Sequence, residues 1–202
     1  MSGKRVFDVD VQNQDMAARI VAGLERVAES FRVLLWDHAK ATGLSPIQIQ
    51  LLLFMRYHAE EWCNVSALAR EFNMTKPTIS DAVKMLNKKG LVRKIPSPTD
   101  GRAYNMQLTA AGEKVVEQTG AFGQPIFQII DSFSQVEQQQ FYRLLNQLIH
   151  RLNQAGVIQV QRSCRNCRYY RPSDGGHYCA LLEMKLAEET LRLDCPEFEE
   201  KV

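Results

Sequence analysis

The stretch NVSALAREFNMTKPTISDAVKMLNKKG, residues 64–90, constrains the fold more than any other part of the chain. NVSALAREF reads as one short helix. Thr75, whose side-chain oxygen can take up an unpaired N–H at a helix start, then opens a second helix in which Ile79, Val83 and Leu86 face inward. Asn73-Met74-Thr75 is the turn between them, and Gly90 terminates the second helix. Two short helices joined by a tight turn form a helix-turn-helix unit. LVRKI and YNMQL follow, two short β-prone runs around the turn-rich PSPTDGRA, which predicts a hairpin. By order of elements this is a winged helix-turn-helix.

The flanks are helical. Ile20, Leu24, Val27, Phe31, Leu34 and Leu35 recur at three and four, the stripe of an amphipathic helix. Ser45-Pro46-Ile47-Gln48 carries a cap, a first-turn proline and the glutamine of a capping box, and the helix it opens is expected to end near His58. Thr109 starts a helix to about Phe122, where Gly123 and Pro125 interrupt it. Ser134 with Glu137 is a second capping box, and Phe141, Leu144, Leu145, Leu148, Ile149 and Leu152 form the final stripe. Asn153-Gln154-Ala155-Gly156 ends that helix and begins a linker. The expected fold class is therefore mainly α with a small β-hairpin wing.

Charge is distributed unevenly. Residues 70–102 hold eight Lys/Arg (Arg70, Lys76, Lys84, Lys88, Lys89, Arg93, Lys94, Arg102) against Glu71, Asp81 and Asp100, a net +5 in a chain whose total is +2. A basic segment on a near-neutral protein suggests a polyanion-binding face. The N-terminal MSGKRVFDVDVQNQDM lacks the apolar run of a signal peptide, and no stretch reaches the roughly 18 apolar residues of a membrane span. A cytoplasmic protein is expected, and there clustered cysteines more often bind metal or do redox chemistry than form disulfides.

VSALAREFNMTKPTISDAVKMLNKKGLVRK followed by TDGRAYNMQLTAAG resembles the recognition unit and the Asp-x-Arg wing of the MarR family of bacterial transcriptional regulators. The resemblance covers roughly residues 15–153. It implies a homodimer, with the first and last helices of both protomers in one bundle, that binds double-stranded operator DNA and most often represses. Residues 1–158 would be the DNA-binding and dimerisation domain. A helix in the major groove shows its N-terminal side chains to base edges, which selects Lys76, Pro77, Thr78, Ser80, Asp81 and Lys84; Thr75 and Ser80 are also suited to phosphate. Asp100 would orient Arg102, which in the family enters the minor groove. Lys88, Lys89, Arg93 and Lys94 are phosphate contacts or solvated charges. A winged helix that binds protein is the alternative, and the basic excess on the reading elements favours DNA.

The family also implies small phenolic or aromatic effectors bound between the dimerisation helices and the DNA-binding lobe. Trp36, His38, Phe54, Tyr57, His58 and Trp62 are candidate walls, with ordinary packing the preferred role. Cys63 is either a redox sensor or a structural cysteine. Glu60 and Glu61 beside it raise a thiol's pKa, which favours the structural role.

The resemblance stops before residues 159–202, where Cys164-x2-Cys167-x11-Cys179-x15-Cys195 stands. Asp174-Gly175-Gly176 supplies a turn that returns Cys179 toward the close pair. Some forty residues hold too little core to fold alone, so a metal would supply the missing stabilisation. Zinc and a [4Fe–4S] cluster both take four thiolates; zinc is the commoner reading, while one close pair with two isolated cysteines, and Cys195-Pro196, suit a cluster. Disulfides or free thiols are the remaining possibility, and His177 is a less favoured replacement ligand. Tyr169, Tyr170 and Tyr178 would shield such a centre. Arg162, Arg165, Arg168 and Arg171 make the first half basic, and Leu181, Leu182, Met184, Leu186, Leu191 and Leu193 are too apolar for a free tail. The sequence holds no glycine-rich nucleotide loop and no catalytic acid/base set, so an enzyme is not expected. An electron-transfer protein or a partner-docking knob are the rival functions.

Overall fold

Side chains that satisfy orphan N–H groups decide where the helices start. Asp15 accepts from the amides of Ala17 and Ala18 and opens a 27-residue helix; Ser45 and Gln48 form a reciprocal capping box, as do Ser134 and Glu137. The computed structural model describes residues 5–96, 104–173 and 176–201. Its elements are α1 (Val9–Gln14), α2 (Met16–Thr42), α3 (Pro46–Tyr57), α4 (Val65–Glu71), α5 (Lys76–Lys88), β1 (Val92–Pro96), β2 (Tyr104–Leu108), α6 (Ala110–Thr119), α7 (Gln124–Asp131), α8 (Gln135–Gln154), β3 (Tyr170–Ser173), β4 (Gly176–Cys179) and β5 (Met184–Leu186). The fold is mainly helical with a two-stranded antiparallel wing in which Val92 faces Leu108 and Pro96 faces Tyr104.

The core lies where α3, α4, α5 and the wing converge. Ile49, Leu51, Leu52, Leu68, Ile79 and Leu86 have no exposed surface, so apolar burial fixes the angle between the two helices of the helix-turn-helix. Cys63 is in the same cluster, and its carbonyl accepts the amide of Met106 at 2.8 Å, tying the wing to the turn after α3. Gly112 at the start of α6 packs against the Leu91 carbonyl so closely that a Cβ would sit 2.1 Å from that oxygen.

Three features differ from the sequence expectation. The helix from Thr109 stops at Thr119, and after a 3-10 turn Pro125 sits in the first turn of α7, where its missing N–H costs nothing. A short α1 precedes α2, capped by Asp8. The tail forms a three-stranded antiparallel sheet, β3-β4-β5, that the periodicity did not reveal because its strands are three or four residues long.

Much of the apolar stripe on α2 and α8 stays open in the single chain. Ile20, Val27 and Phe31 on α2, and Phe141 and Leu144 on α8, are all more than 40% exposed, alongside Phe127 and Ile129 of α7. None of the described helices is long and apolar enough to cross a membrane.

Candidate functional site

The turn before α5 is built by Asn73, which takes a left-handed conformation (φ 52°) so that the Met74 amide can reach back to the Ala69 carbonyl. Asparagine tolerates this conformation better than most side chains. Thr75 then caps α5 by accepting from the Thr78 amide at 3.3 Å, and its hydroxyl bonds that of Thr78 at 2.8 Å. Ile79, Ala82, Val83 and Leu86 are the buried side of α5.

On the open side stand Lys76, Pro77, Thr78, Asp81 and Lys84, with Ser80 half-buried at the edge. The structure thus brings the α5 candidates onto one exposed helical face. Lys84 bonds Asp81 at 3.2 Å, so one cation and one anion of that face are mutually engaged. In the wing, Arg93 donates to Gln107 from two guanidinium nitrogens, and Lys94 lies 4.0 Å above the Tyr104 ring, which steers both side chains along the hairpin. Lys88 and Lys89 are exposed; Lys89 reaches the Gly43 carbonyl. Asp100 and Arg102 lie outside the described residues.

The tail has its own constellation. Cys164, Cys167, Cys179 and Cys195 line one cavity, closed by Tyr169, Tyr170, Tyr178, Leu181, Leu182 and Leu186. Each cysteine is a free thiol. Cys164 Sγ accepts the Arg192 amide at 3.2 Å, and Cys195 Sγ accepts the Arg192 guanidinium at 3.4 Å and turns toward the Glu197 carboxylate at 3.3 Å. Among the described residues no three His, Cys, Asp or Glu side chains are drawn together as the ligands of an ion. The four sulfurs share a wall without converging on a point. His177 does not join them: Nδ1 bonds the Tyr170 hydroxyl at 2.7 Å and Nε2 the Glu188 carboxylate at 2.6 Å. Of the Asp174-Gly175-Gly176 turn, Asp174 and Gly175 lie outside the described residues; β3 and β4 flank it in register.

Sequence reasoning missed how the tail attaches. Leu191 is buried, and its carbonyl accepts from the Tyr142 hydroxyl and, at 3.5 Å, from Asn146, both on α8. Arg162 is almost fully buried. Its guanidinium donates to Glu71 at 2.6 and 3.3 Å and to Asp194 at 2.9 and 3.1 Å, with the Phe54 and Trp62 rings 5.2 and 5.9 Å away. His58, stacked on Phe54, bonds Asp194 Oδ2 at 2.8 Å, the oxygen that also accepts from one Arg162 nitrogen. Burial alone would raise the Asp194 pKa, yet the bonds from His58 and Arg162 outweigh it and hold the carboxyl well below its usual range. Burial likewise pulls His58 down, and its bonds to Asp194 and the Phe54 carbonyl bring it to a net rise. The signal for Arg162 was available only as one arginine among four, because its partner Glu71 is 91 residues away.

The candidate effector walls separate. Phe54, Trp62 and His58 gather around Arg162, whereas Trp36 and Tyr57 are exposed and His38 is half-buried on α2. An open cleft of about 470 Å³ lies between α4, the end of α8 and the tail, bounded by Phe54, Trp62, His150, Arg165, Phe198 and Lys201. Cys63 is buried, and burial with the nearby Glu60 charge pushes its thiol up to about 11, which disfavours the reactive thiolate.

Residues 42–103 match the sequence profile of the MarR family. The HTH-type transcriptional repressor YetL of Bacillus subtilis is 27% identical over 113 residues, 55% of this chain and 67% of that protein. The uncharacterized HTH-type transcriptional regulator YdgJ of the same organism is 31% identical over 78 residues, 39% of this chain and just under half, 46%, of its own length. Both carry the names of transcriptional regulators rather than of enzymes. Among solved structures, the fold is similar to S. aureus MepR in a complex with DNA (20% identity, 65% of this chain and 97% of that one, TM-score 0.57). It is also similar to a MarR family protein from Bacillus stearothermophilus (19% identity, 68% and 96%, TM-score 0.58). At such identities the likeness speaks for the fold. Residues 42–103 therefore match the MarR family's sequence profile, and the chain shares the winged helix-turn-helix fold of these solved structures.

Proposed function

We propose that the chain is a homodimeric, sequence-specific DNA-binding transcriptional repressor whose tail carries a four-thiolate metal centre. The observation that supports DNA binding is the outer face of α5, where Lys76, Pro77, Thr78, Asp81 and Lys84 stand exposed at the N-terminal end of a helix whose other side is buried in the core. The basic flank of Lys88, Lys89, Arg93 and Lys94 supplies phosphate contacts. A relative called a transcriptional repressor and a similar fold solved with DNA agree with this reading. The apolar side chains left open on α2, α7 and α8 suit a second copy, which would set two α5 helices about one DNA turn, some 34 Å, apart.

The donor set of the tail fits a centre that takes four thiolates. Four cysteines share a cavity whose other walls are tyrosines, leucines and the Glu197 side chain, and Arg192 already points N–H donors at two sulfurs. Cys164, Cys167, Cys179 and Cys195 would hold either one zinc ion, which is redox-inert, or a [4Fe–4S] cluster, which can carry an electron. The cleft bounded by Phe54, Trp62 and Phe198 is the seat for a small aromatic effector in this reading.

The test is selection of bound sequences from random duplex DNA, then a salt titration on the selected operator. The native protein should bind it and lose affinity linearly in log salt; Lys84→Ala should lower that slope by about one. Selection of no consensus, or a flat salt dependence, contradicts the reading. Anaerobic purification with an absorption spectrum and metal analysis separates a brown iron–sulfur protein from a colourless one holding zinc, and thiols free of metal contradict the centre.

A further inference from the structure

The four-cysteine cavity and the DNA-reading helix are joined by a short chain of bonded groups. Cys195 donates its amide to the Arg162 carbonyl at 3.0 Å, and Cys164 donates its amide to the Arg192 carbonyl at 3.1 Å. The segments 162–164 and 192–195 are therefore paired backbones, each carrying a cysteine that faces the cavity. Projecting from the same two segments, away from the sulfurs, are Arg162 and Asp194. The Arg162 fork lies between Asp194 and Glu71, with two bonds to each. Glu71 is the last residue of α4, and Thr75, the cap of α5, follows four residues later. The linker touches this turn a second time, where Asn73 donates to the Val157 carbonyl at 3.4 Å.

We infer that Arg162 is a positioning residue that couples the state of the four-thiolate centre to the pose of the helix-turn-helix. This rests on the metal-centre reading above and goes further by naming the route. Four sulfurs held by one centre fix segments 162–164 and 192–195 against each other. Release of the centre leaves the two backbone bonds, the Arg192 amide on Cys164 Sγ and the Arg162–Asp194 pair to do so. A planar guanidinium bonded in both directions tolerates little displacement, because each fork needs its carboxylate in plane. Arg162 is also buried, so water replaces a lost carboxylate poorly. Loosening the tail therefore shifts Glu71, and with it the turn that presents α5. In a dimer this changes both reading helices at once, and a looser pair binds an operator less tightly than a pre-set one.

The full-length protein would be purified anaerobically, its metal measured, and operator affinity compared between the loaded form and a chelator-stripped form, with hydrogen exchange followed in residues 65–75. Stripping should weaken operator binding about tenfold, within the range usual for coupled sites, and raise exchange in that segment. In Arg162→Gln, and separately in the milder Glu71→Gln, metal content should match the native protein while the affinity difference shrinks to about twofold or less. A loaded protein whose affinity and exchange ignore stripping overturns the relay and leaves the metal centre standing, as do variants that keep the full response. A protein that holds no metal as purified overturns the centre and the relay together.

Discussion

The winged-helix body and the cysteine tail are held together by different forces. In the body, side chains such as Ile49, Leu52, Ile79 and Leu86 are wholly removed from water and pack as one cluster. In the tail, Leu191 and Cys167 are the apolar side chains buried among the described residues, and the remaining order comes from β pairing and from ion pairs such as Arg165 with Glu188 and Arg168 with Glu199. Apolar burial depends little on thiol or metal chemistry in solution, whereas a small module held by polar contacts would follow the state of the proposed four-thiolate centre.

Substitutions should act on one region and spare the other. Leu86→Ala empties a fully buried site in the body and should cost about 2–5 kcal/mol, seen as a lower melting temperature of the main calorimetric transition. Leu191→Ala keeps the carbonyl that α8 bonds but removes a buried side chain, and should loosen the tail, raising hydrogen exchange across 188–195 with little change in that main transition. Equal effects of both variants on one cooperative transition would break the distinction. Thiol chemistry sharpens it: in metal-stripped protein at neutral pH, iodoacetamide should label the tail cysteines first and Cys63 last, as mass spectrometry of peptides would show.

Acidity should loosen the junction between the regions more gently. Asp194, with its pKa lowered on folding, contributes docking stability above its unfolded value of about 4 and loses it as pH falls through the folded one. His58, with its pKa raised, contributes below its unfolded value of about 6.5 and loses it as pH rises through the folded one. Protection of residues 188–195 should therefore be greatest between about pH 4 and 6.5 and decline on either side. His58→Gln should remove the decline on the alkaline side and, by taking away a bond that lowers the Asp194 pKa, move the acid-side decline to higher pH.

The body was legible in the sequence because its signals are local. Capping boxes at Ser45 and Ser134, the Thr75 cap and the spacing of Ile79, Val83 and Leu86 each lie within a few residues, and all appear where expected. The break near Gly123 and Pro125 was visible too, but not that α6 would stop earlier, at Thr119, or that the proline would sit in the first turn of α7. The tail was legible only in its cysteines. Its strands are too short for a period, and its docking depends on Arg162 finding Glu71 across 91 residues, a pairing that no local pattern encodes. Tyr142 and Asn146 lie outside the apolar stripe of α8, yet Asn146 is the buried residue of that helix because the Leu191 carbonyl comes to meet it.

The most direct test of a self-sufficient body with a centre-dependent tail is hydrogen exchange on the full-length protein before and after complete removal of metal. The account predicts that protection collapses across 162–167 and 191–195 while α3 and the buried side of α5 stay protected. Tail protection that survives in verified metal-free protein, or α3 and the buried side of α5 losing protection in step with the tail, would contradict it.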